Sequence, residues 1–460
     1  MTDPDACLSV IIPTHNRRQL LGKVLAALSR QTVDPATFEV VVVCDGCTDG
    51  TRDMLCDGAF PFALKLVEQH ECSGPAMARN AGANVAIGAL LLFLDDDVEP
   101  VPGCIEAHQR AHELAREATV VLGPYPPVPH ASGNLFRLIV RAWWRRHFEK
   151  VADEGHRFSF CDLLTGNLSL PAHIWQQLGG LDPNFRAARE DYELGVRLMQ
   201  RGLPFRFAAD AMAYHHEHAT MTLDGSFRRA REEGRSDVLL GEKHPHVRSA
   251  LRITVRMRES SHLLGWIDRV TFTFGAGADP LLRAIGSMLP LFGRLRLRFA
   301  YLALYRWLNA YWYLRGAAEV LGSWSAWRDF AMSASLPRAT KRLNIDVRGD
   351  MQSAEEAIDV AAPDEVALSY RGYEFGTLEC EAGAEPWRGR HLRYRLCGSL
   401  APAYLKCLLE ADDLGEVLTY RSVTTRRLLE GLPLIQSPRR AEMWWEVTRQ
   451  WQAFVSDAAD

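Results

Sequence analysis

The chain has 460 residues, 53 lysines and arginines against 57 aspartates and glutamates, a net charge of -4, and 47% hydrophobic and 24% charged side chains. That is an ordinary globular composition, long enough for two or three domains with a large core, and its charge balance gives nucleic acid no claim as a partner. Ten scattered cysteines, an acidic start at Met1-Thr2-Asp3-Pro4-Asp5 and no apolar run of the ~18 residues a spanning helix needs lead to the expectation of a cytoplasmic protein without signal peptide or transmembrane segment.

In chain order, residues 8–13 read as a buried strand, and residues 17–30 as a helix with Leu20, Leu21, Val24, Leu25 and Leu28 at helical spacing. Residues 38–43 form the next strand, followed by a turn and a short helix from about Thr51, which Asp49 is expected to cap. Residues 64–67 are a third strand, 76–88 a small-residue helix packed close on the sheet, and 89–94 an apolar strand running into Asp95-Asp96-Asp97. Alternating strands and helices with short connections predict a mostly parallel, doubly wound sheet.

Residues 137–150 are basic and aromatic around Trp143-Trp144-Arg145-Arg146. Residues 166–170 and 205–208 return as strands, with a helix over 191–201 between them. A helical region covers about 226–330, and its part from Leu281 to Arg315 holds six arginines among Trp and Tyr and no acid at all. Such a stretch either lies in a membrane interface or packs its basic face on the catalytic domain. After Pro337, residues 343–347, 365–370 and 374–378 alternate as half-buried strands with a turn at Arg371-Gly372-Tyr373, and helices follow to the C-terminus. The expected domains are 1–240 catalytic, 241–335 helical and 336–460 α+β.

The acidic triplet is the sharpest chemical signal. Like charges at a buried strand's C-terminal end require a cation or hydrogen-bond donors, and hard oxygen ligands suit Mg²⁺ or Mn²⁺ shared with phosphates. Strand alternation would put Asp95 and Asp97 on one side and Asp96 on the other. Pro13-Thr14-His15-Asn16-Arg17 follows the first strand, where polar groups ahead of a helix can hold a nucleotide and its phosphates. Asp45, after the second strand, could accept a hydrogen bond from a base N–H, and Arg79 could meet phosphate or a carboxylate. Glu190 and Asp191 open a helix, so either carboxylate is available as a general base. The pair His215-His216 offers an imidazole that could complete a metal shell. Cys44 and Cys47 form a C-x-x-C without a second pair at metal spacing, so a turn is favoured over a zinc or redox site.

In this order, residues 10–17, 45–51, 78–82 and 93–97, then Gly179-Gly180-Leu181-Asp182 ahead of Glu190-Asp191, resemble glycosyltransferase family 2 of the GT-A fold over about residues 7–240. The resemblance implies a GT-A nucleotide-diphospho-sugar transferase fold, followed by the helical region and a small β-rich C-terminal domain. It implies a nucleoside-diphosphate sugar donor, UDP before GDP or dTDP, and an inverting displacement assisted by Mg²⁺ or Mn²⁺. Asp191, with Glu190, would be catalytic. Pro13, Thr14, Asn16, Arg17, Asp45, Arg79, Asp95 and Asp96 would bind donor, and Asp97, Asp95 and His215 the metal. The acceptor would be a glycan or lipid-linked molecule of the cell envelope, met with peripheral contact at the inner face of the plasma membrane. Cys47 stands where the family usually has Ser, and the Q-x-x-R-W signature of processive synthases is missing, so one sugar per encounter is expected. A nucleotidyltransferase would want glycines in the first loop, which has none. A non-catalytic sugar-nucleotide or glycan-binding scaffold would leave Glu190-Asp191 without a task.

Overall fold

The computed structural model describes residues 8–129, 134–259, 262–335, 337–348, 351–401 and 403–404. It divides into two compact units, Met1–Ala152 with Phe158–Pro337, and Asp153–Arg157 with Arg338–Asp460.

The first unit opens with β1 (Leu8–Thr14), α1 (Arg18–Leu28), β2 (Phe38–Asp45), α2 (Thr51–Asp57), β3 (Ala63–Gln69), α3 (Pro75–Val85) and β4 (Leu90–Leu94). Next come β5 (Val98–Pro100), α4 (Cys104–Glu113), β6 (Val120–Leu122), α5 (Leu135–Val151), β7 (Asn167–Pro171), α6 (Ala172–Leu178) and α7 (Glu190–Gln200). β8 (Phe205–Phe207), β9 (Ala213–His215) and the helices α8 (Glu217–Thr220), α9 (Leu223–Lys243), α10 (Arg252–Glu259), α11 (His262–Ser287), α12 (Leu289–Arg294), α13 (Arg298–Leu321) and α14 (Trp324–Met332) complete it.

Seven strands make one sheet in the order β3-β2-β1-β4-β7-β6-β8. β1 lies parallel to β2 and β4, β2 parallel to β3, and β6 parallel to β8, while β7 runs antiparallel to both its neighbours. The mostly parallel, doubly wound sheet expected from the sequence is therefore present. Alternate side chains of each central strand enter different cores: Val10, Ile12, Val40 and Val42 join one cluster with α1, whereas Ile11 and Val41 join another with α3. Burial on both faces explains the uninterrupted apolar runs. A two-stranded ribbon, β5 against β9, ties the segment after the acidic triplet to the His215 strand.

α9 and α13 cross at very close range. A Cβ on Gly234 would collide with the Tyr313 carbonyl, and one on Gly316 with the Arg231 carbonyl, so only glycine permits this approach. Tyr311, Trp312, Tyr313 and Leu314 of α13 are buried, Tyr313 against Asp237 of α9 and Tyr311 against Asp279 of α11. The aromatic stripe read from the sequence is thus core at its C-terminal half.

The second unit holds β10 (Arg342–Asp346), α15 (Met351–Ala361), β11 (Glu365–Tyr370), β12 (Tyr373–Leu378) and α16 (Gly389–Cys397). β10 runs parallel to β11, and β11 pairs antiparallel with β12 through a turn in which Arg371 and Gly372 both take positive φ. Two consecutive left-handed residues are what a tight primed hairpin turn requires. Ile345, Ile358, Val366, Leu368, Trp387 and Leu392 form its core, and Arg157 stacks on Trp387 at 4.1 Å. The helices expected toward the C-terminus beyond Tyr404 lie outside the described residues.

Candidate active site

The strand ends of β1, β2 and β4 converge on one cluster. Asp96 accepts hydrogen bonds from the Thr14 hydroxyl at 2.7 Å and from Arg17 at 2.8 Å, and the same Arg17 nitrogen lies 3.2 Å from Asp97. On its other side Asp97 faces His215 Nε2 at 3.5 Å, and its carbonyl accepts the His216 N–H at 2.8 Å. His216 turns instead to Glu99, at 2.8 Å. Of the two histidines, His215 is the one beside the acidic triplet, and it is packed edge-on by Tyr125 and Trp144.

The triplet does not alternate as a strand would. β4 ends at Leu94, and Asp95 to Asp97 form a turn, so Asp96 and Asp97 share Arg17 while Asp95 turns away to Arg79 at 2.6 Å. Three adjacent carboxylates are relieved by two separate arginines in the turn, an arrangement a pleated strand cannot offer. The Asp95 N–H is held by the Gly166 carbonyl at 3.2 Å. Gly166 has to be glycine there, because a Cβ would stand 2.9 Å from the Asp95 carboxylate and 2.8 Å from the Tyr125 ring.

Arg79, on α3, is 4% exposed and reaches Glu190 at 3.3 Å as well as Asp95. It is enclosed between two acids that it clamps together. Asp45 is likewise committed: its carboxylate accepts the backbone N–H groups of Ser73 at 2.7 Å and Gly74 at 2.9 Å, plus the Ser73 hydroxyl at 3.0 Å. Asn16, at positive φ, accepts the Thr48 N–H at 2.7 Å, and Pro13 is the penultimate residue of β1. Gly50, not Asp49, takes the N-cap of α2, yet Asp49 accepts the Thr51 N–H from one position earlier and also the Arg18 N–H. The Cys44 thiol is pushed up to about 12 by burial and by Cys47 beside it, which leaves it inert near neutral pH.

Glu190 and Asp191 begin α7. The residue ahead of them, Arg189, has φ 69°, a left-handed conformation costing an L-residue ~1 to 2 kcal/mol. Its guanidinium is anchored by Asp237 of α9 at 2.8 Å and stacks on Tyr192 at 4.3 Å. Asp237 in turn accepts a hydrogen bond from the Tyr313 hydroxyl of α13. A strained residue beside the candidate base is thus braced by the helical region. In the sequence, Arg189 is visible only as a neighbour of the acidic cluster. Tyr313 is visible only as one of the aromatics of the 281–315 stretch, and nothing in the sequence singles out Asp237.

The acids differ in charge state. Burial pushes Asp97 up, but hydrogen bonding and charge from His215, then Arg17, bring it down to about 2. Asp96 is raised by burial to about 6 even with Arg17 and Thr14 against it. Asp191 keeps some solvent access, and burial with the neighbouring Glu190 charge raises it to about 7. Its carboxylate accepts the Tyr192 N–H at 2.8 Å, with Arg229 and Arg189 acting through space. Tyr125 is raised by burial and then by the charges of Asp95 and Asp191.

For a divalent cation, Asp97 and His215 face each other with the right chemistry, one carboxylate oxygen and one imidazole nitrogen, leaving other positions for phosphate and water. Asp95 is not with them. Among the described residues no three His, Cys, Asp or Glu side chains are grouped as a metal site. Of the basic residues on α9, Arg231 and Arg235 are taken up by Glu319, while Arg229 stays exposed beside Glu233.

The profile of Glycosyl transferase family 2 matches residues 9–158, and that of Glycosyl transferase family group 2 matches residues 90–336, more than half of the chain. Validoxylamine A glucosyltransferase of Streptomyces hygroscopicus subsp. limoneus is 35% identical over 235 residues, 46% of this chain and 52% of that protein. O-antigen biosynthesis protein RfbC of Myxococcus xanthus is 29% identical over 228 residues, 47% of this chain and 18% of that protein. The chain spans about half the length, or less, of these two curated relatives. A solved structure, the mannosyltransferase PcManGT from Pyrobaculum calidifontis in complex with GDP-Man and Mn²⁺, superposes with a TM-score of 0.43 at 18% identity, over 69% of this chain and 87% of that one.

Proposed function

Because this chain belongs to the group 2 family of glycosyltransferases, we propose that it moves a sugar from a nucleoside-diphosphate donor to an acceptor hydroxyl by a single inverting displacement. The observation that carries this reading is Asp191: a carboxyl raised to about 7, in a site whose other edge carries Asp97 held ionised at about 2. Asp191 takes the proton from the acceptor hydroxyl, a task best done by a base titrating near the working pH. Glu190, clamped by Arg79 to Asp95, holds that helix start in register with the donor loop. Thr14, Asn16 and Arg17 line the nucleotide side, with Asp96 fixing Arg17. Asp97 and His215 would hold Mg²⁺ or Mn²⁺, which would supply charge neutralisation for the departing diphosphate. The acceptor is a glycan or lipid-linked molecule of the cell envelope, and the enzyme works in the cytoplasm in peripheral contact with the membrane. No helix among the described residues is long and apolar enough to cross a membrane.

The test is thermal stabilisation by UDP, GDP and dTDP, each with and without Mn²⁺, on wild type and Asp97→Asn. A nucleotide at about 100 times its dissociation constant adds about 2.7 kcal/mol. One nucleotide should stabilise the wild type in a manner that needs both Mn²⁺ and Asp97. No stabilisation by any of the three would remove the donor assignment and leave a binding scaffold for another ligand.

A further inference from the structure

We propose that the segment from Met288 to Phe299, α12 with the turn into α13, is a wedge that seats the protein on an anionic lipid bilayer. The inference rests on the membrane contact proposed above and relocates it. Several of the arginines and aromatics that suggested an interfacial helix are spent inside the protein. Tyr311, Trp312 and Tyr313 are buried, Arg315 pairs with Asp279 at 3.1 Å, and Arg283 lies 5.6 Å over the Trp312 ring.

Arg306 and Trp307 are exposed further along α13, but the bare apolar side chains cluster at α12 and the start of α13. Leu295 is 60% and Phe299 91% exposed, with Met288, Leu291 and Leu297 each about half exposed. Arg294, Arg296 and Arg298 alternate with them, and all three are exposed. No acidic residue occurs anywhere from Leu281 to Arg315. A solvated turn has no use for that many bare apolar side chains.

The backbone is also prepared for a medium poor in water. The Leu297 N–H is donated to the Phe292 carbonyl at 3.0 Å and the Arg296 N–H to the Gly293 carbonyl at 3.1 Å, the paired bonds that close a helix end on itself. The Leu295 and Arg298 N–H groups are satisfied within the turn as well. That closure needs one residue in the left-handed region, where glycine is usual, and this chain places Arg296 there at φ 57°. A cation is kept at the cost of backbone strain, which points to a use for its charge. Apolar side chains entering the acyl boundary while arginines stay among lipid phosphates is the arrangement of an interfacial anchor. The purely positive rim selects an anionic bilayer over an apolar protein face.

The experiment is co-sedimentation of the full chain with vesicles of phosphatidylcholine alone and of equal parts phosphatidylcholine and phosphatidylglycerol, with light scattering for oligomeric mass. The wild type should pellet with the anionic vesicles only, and release as salt rises from about 50 mM to about 500 mM. Leu295→Glu with Phe299→Glu should lower binding more than tenfold. Arg296→Gly should lower it about fivefold, the worth of one arginine at such a surface, while raising the melting temperature because glycine accepts that φ freely. Wild-type indifference to anionic vesicles, equal binding to neutral ones, or variants that bind like wild type would overturn the proposal. Loss of a dimer on substituting the turn, without vesicle binding by the wild type, would assign the surface to a second copy. The nucleotide melting shift, read on the same samples, keeps failure of this anchor distinct from failure of the donor site.

Discussion

The two edges of the site hold the same kind of side chain in opposite states. At the strand-end edge, Asp97 is kept ionised by His215 and Arg17, in contact with both. At the α7 edge, Asp191 is raised to about 7 by burial and by Glu190, with its two arginines acting only through space. The contrast teaches that role follows from which partner is fixed at each carboxylate, not from residue type. One edge presents a standing charge, and the other presents a proton acceptor near its midpoint.

The largest break in that contrast is Asp191→Asn. Turnover should fall about 10³-fold, the range of a positioned base, while the Mn²⁺-dependent nucleotide melting shift is retained. Loss of both would put Asp191 on the donor side and erase the distinction. Asp237→Asn comes next. Freeing Arg189 should lower kcat about tenfold with donor KM unchanged, and should move the acid limb of the pH profile upward, because Arg189 helps hold Asp191 down. A lower melting point with an unmoved limb would make Arg189 a purely structural brace.

The pH dependence of stability sharpens the comparison further, since the two acids carry opposite signs. A carboxyl raised in the folded state contributes stability present below its ordinary value of about 4 and lost as pH rises through the folded value. For Asp191 that loss runs from about 4 and is complete above about 7. Asp191→Asn should therefore melt above wild type near pH 8, a difference that shrinks toward about pH 5. Asp97 contributes stability above about 4 that disappears as acid approaches about 2, so Asp97→Asn should melt lower than wild type at neutral pH. If Asp191→Asn and Asp97→Asn shift the melting point in the same direction at neutral pH, the opposition does not exist. The smallest effect is that of Thr14→Val, which removes one hydrogen bond to Asp96, worth about 1 kcal/mol, and should raise donor KM a few-fold.

Much of this is legible in the amino-acid sequence because it is local. Apolar runs of strand length, the 3.6-residue spacing of Leu21, Val24, Leu25 and Leu28, and polar clusters directly after strands locate the sheet and the edge where the site lies. The failures are informative. Strand alternation extended through Asp95, Asp96 and Asp97 overlooks the mutual repulsion that favours a turn able to recruit two arginines. Arg79 and Asp45 read as ligand contacts from the sequence, which does not show the partners they have within the protein, Glu190 and the Ser73-Gly74 amides. The aromatic residues of α13 have a periodicity that identifies a helix but not which face is covered. That depends on Gly234 and Gly316 allowing α9 against it.

The brace on Arg189 has a consequence in the order of synthesis. Asp237 follows Arg189 by 48 residues, and Tyr313 follows Asp237 by another 76. A nascent chain that has cleared the ribosome as far as His215 contains every residue of the Asp96, Asp97 and Arg17 cluster, yet it lacks the Tyr313 hydroxyl that completes the brace on Arg189. Support for the start of α7 is thus completed by a helix made well over a hundred residues after it.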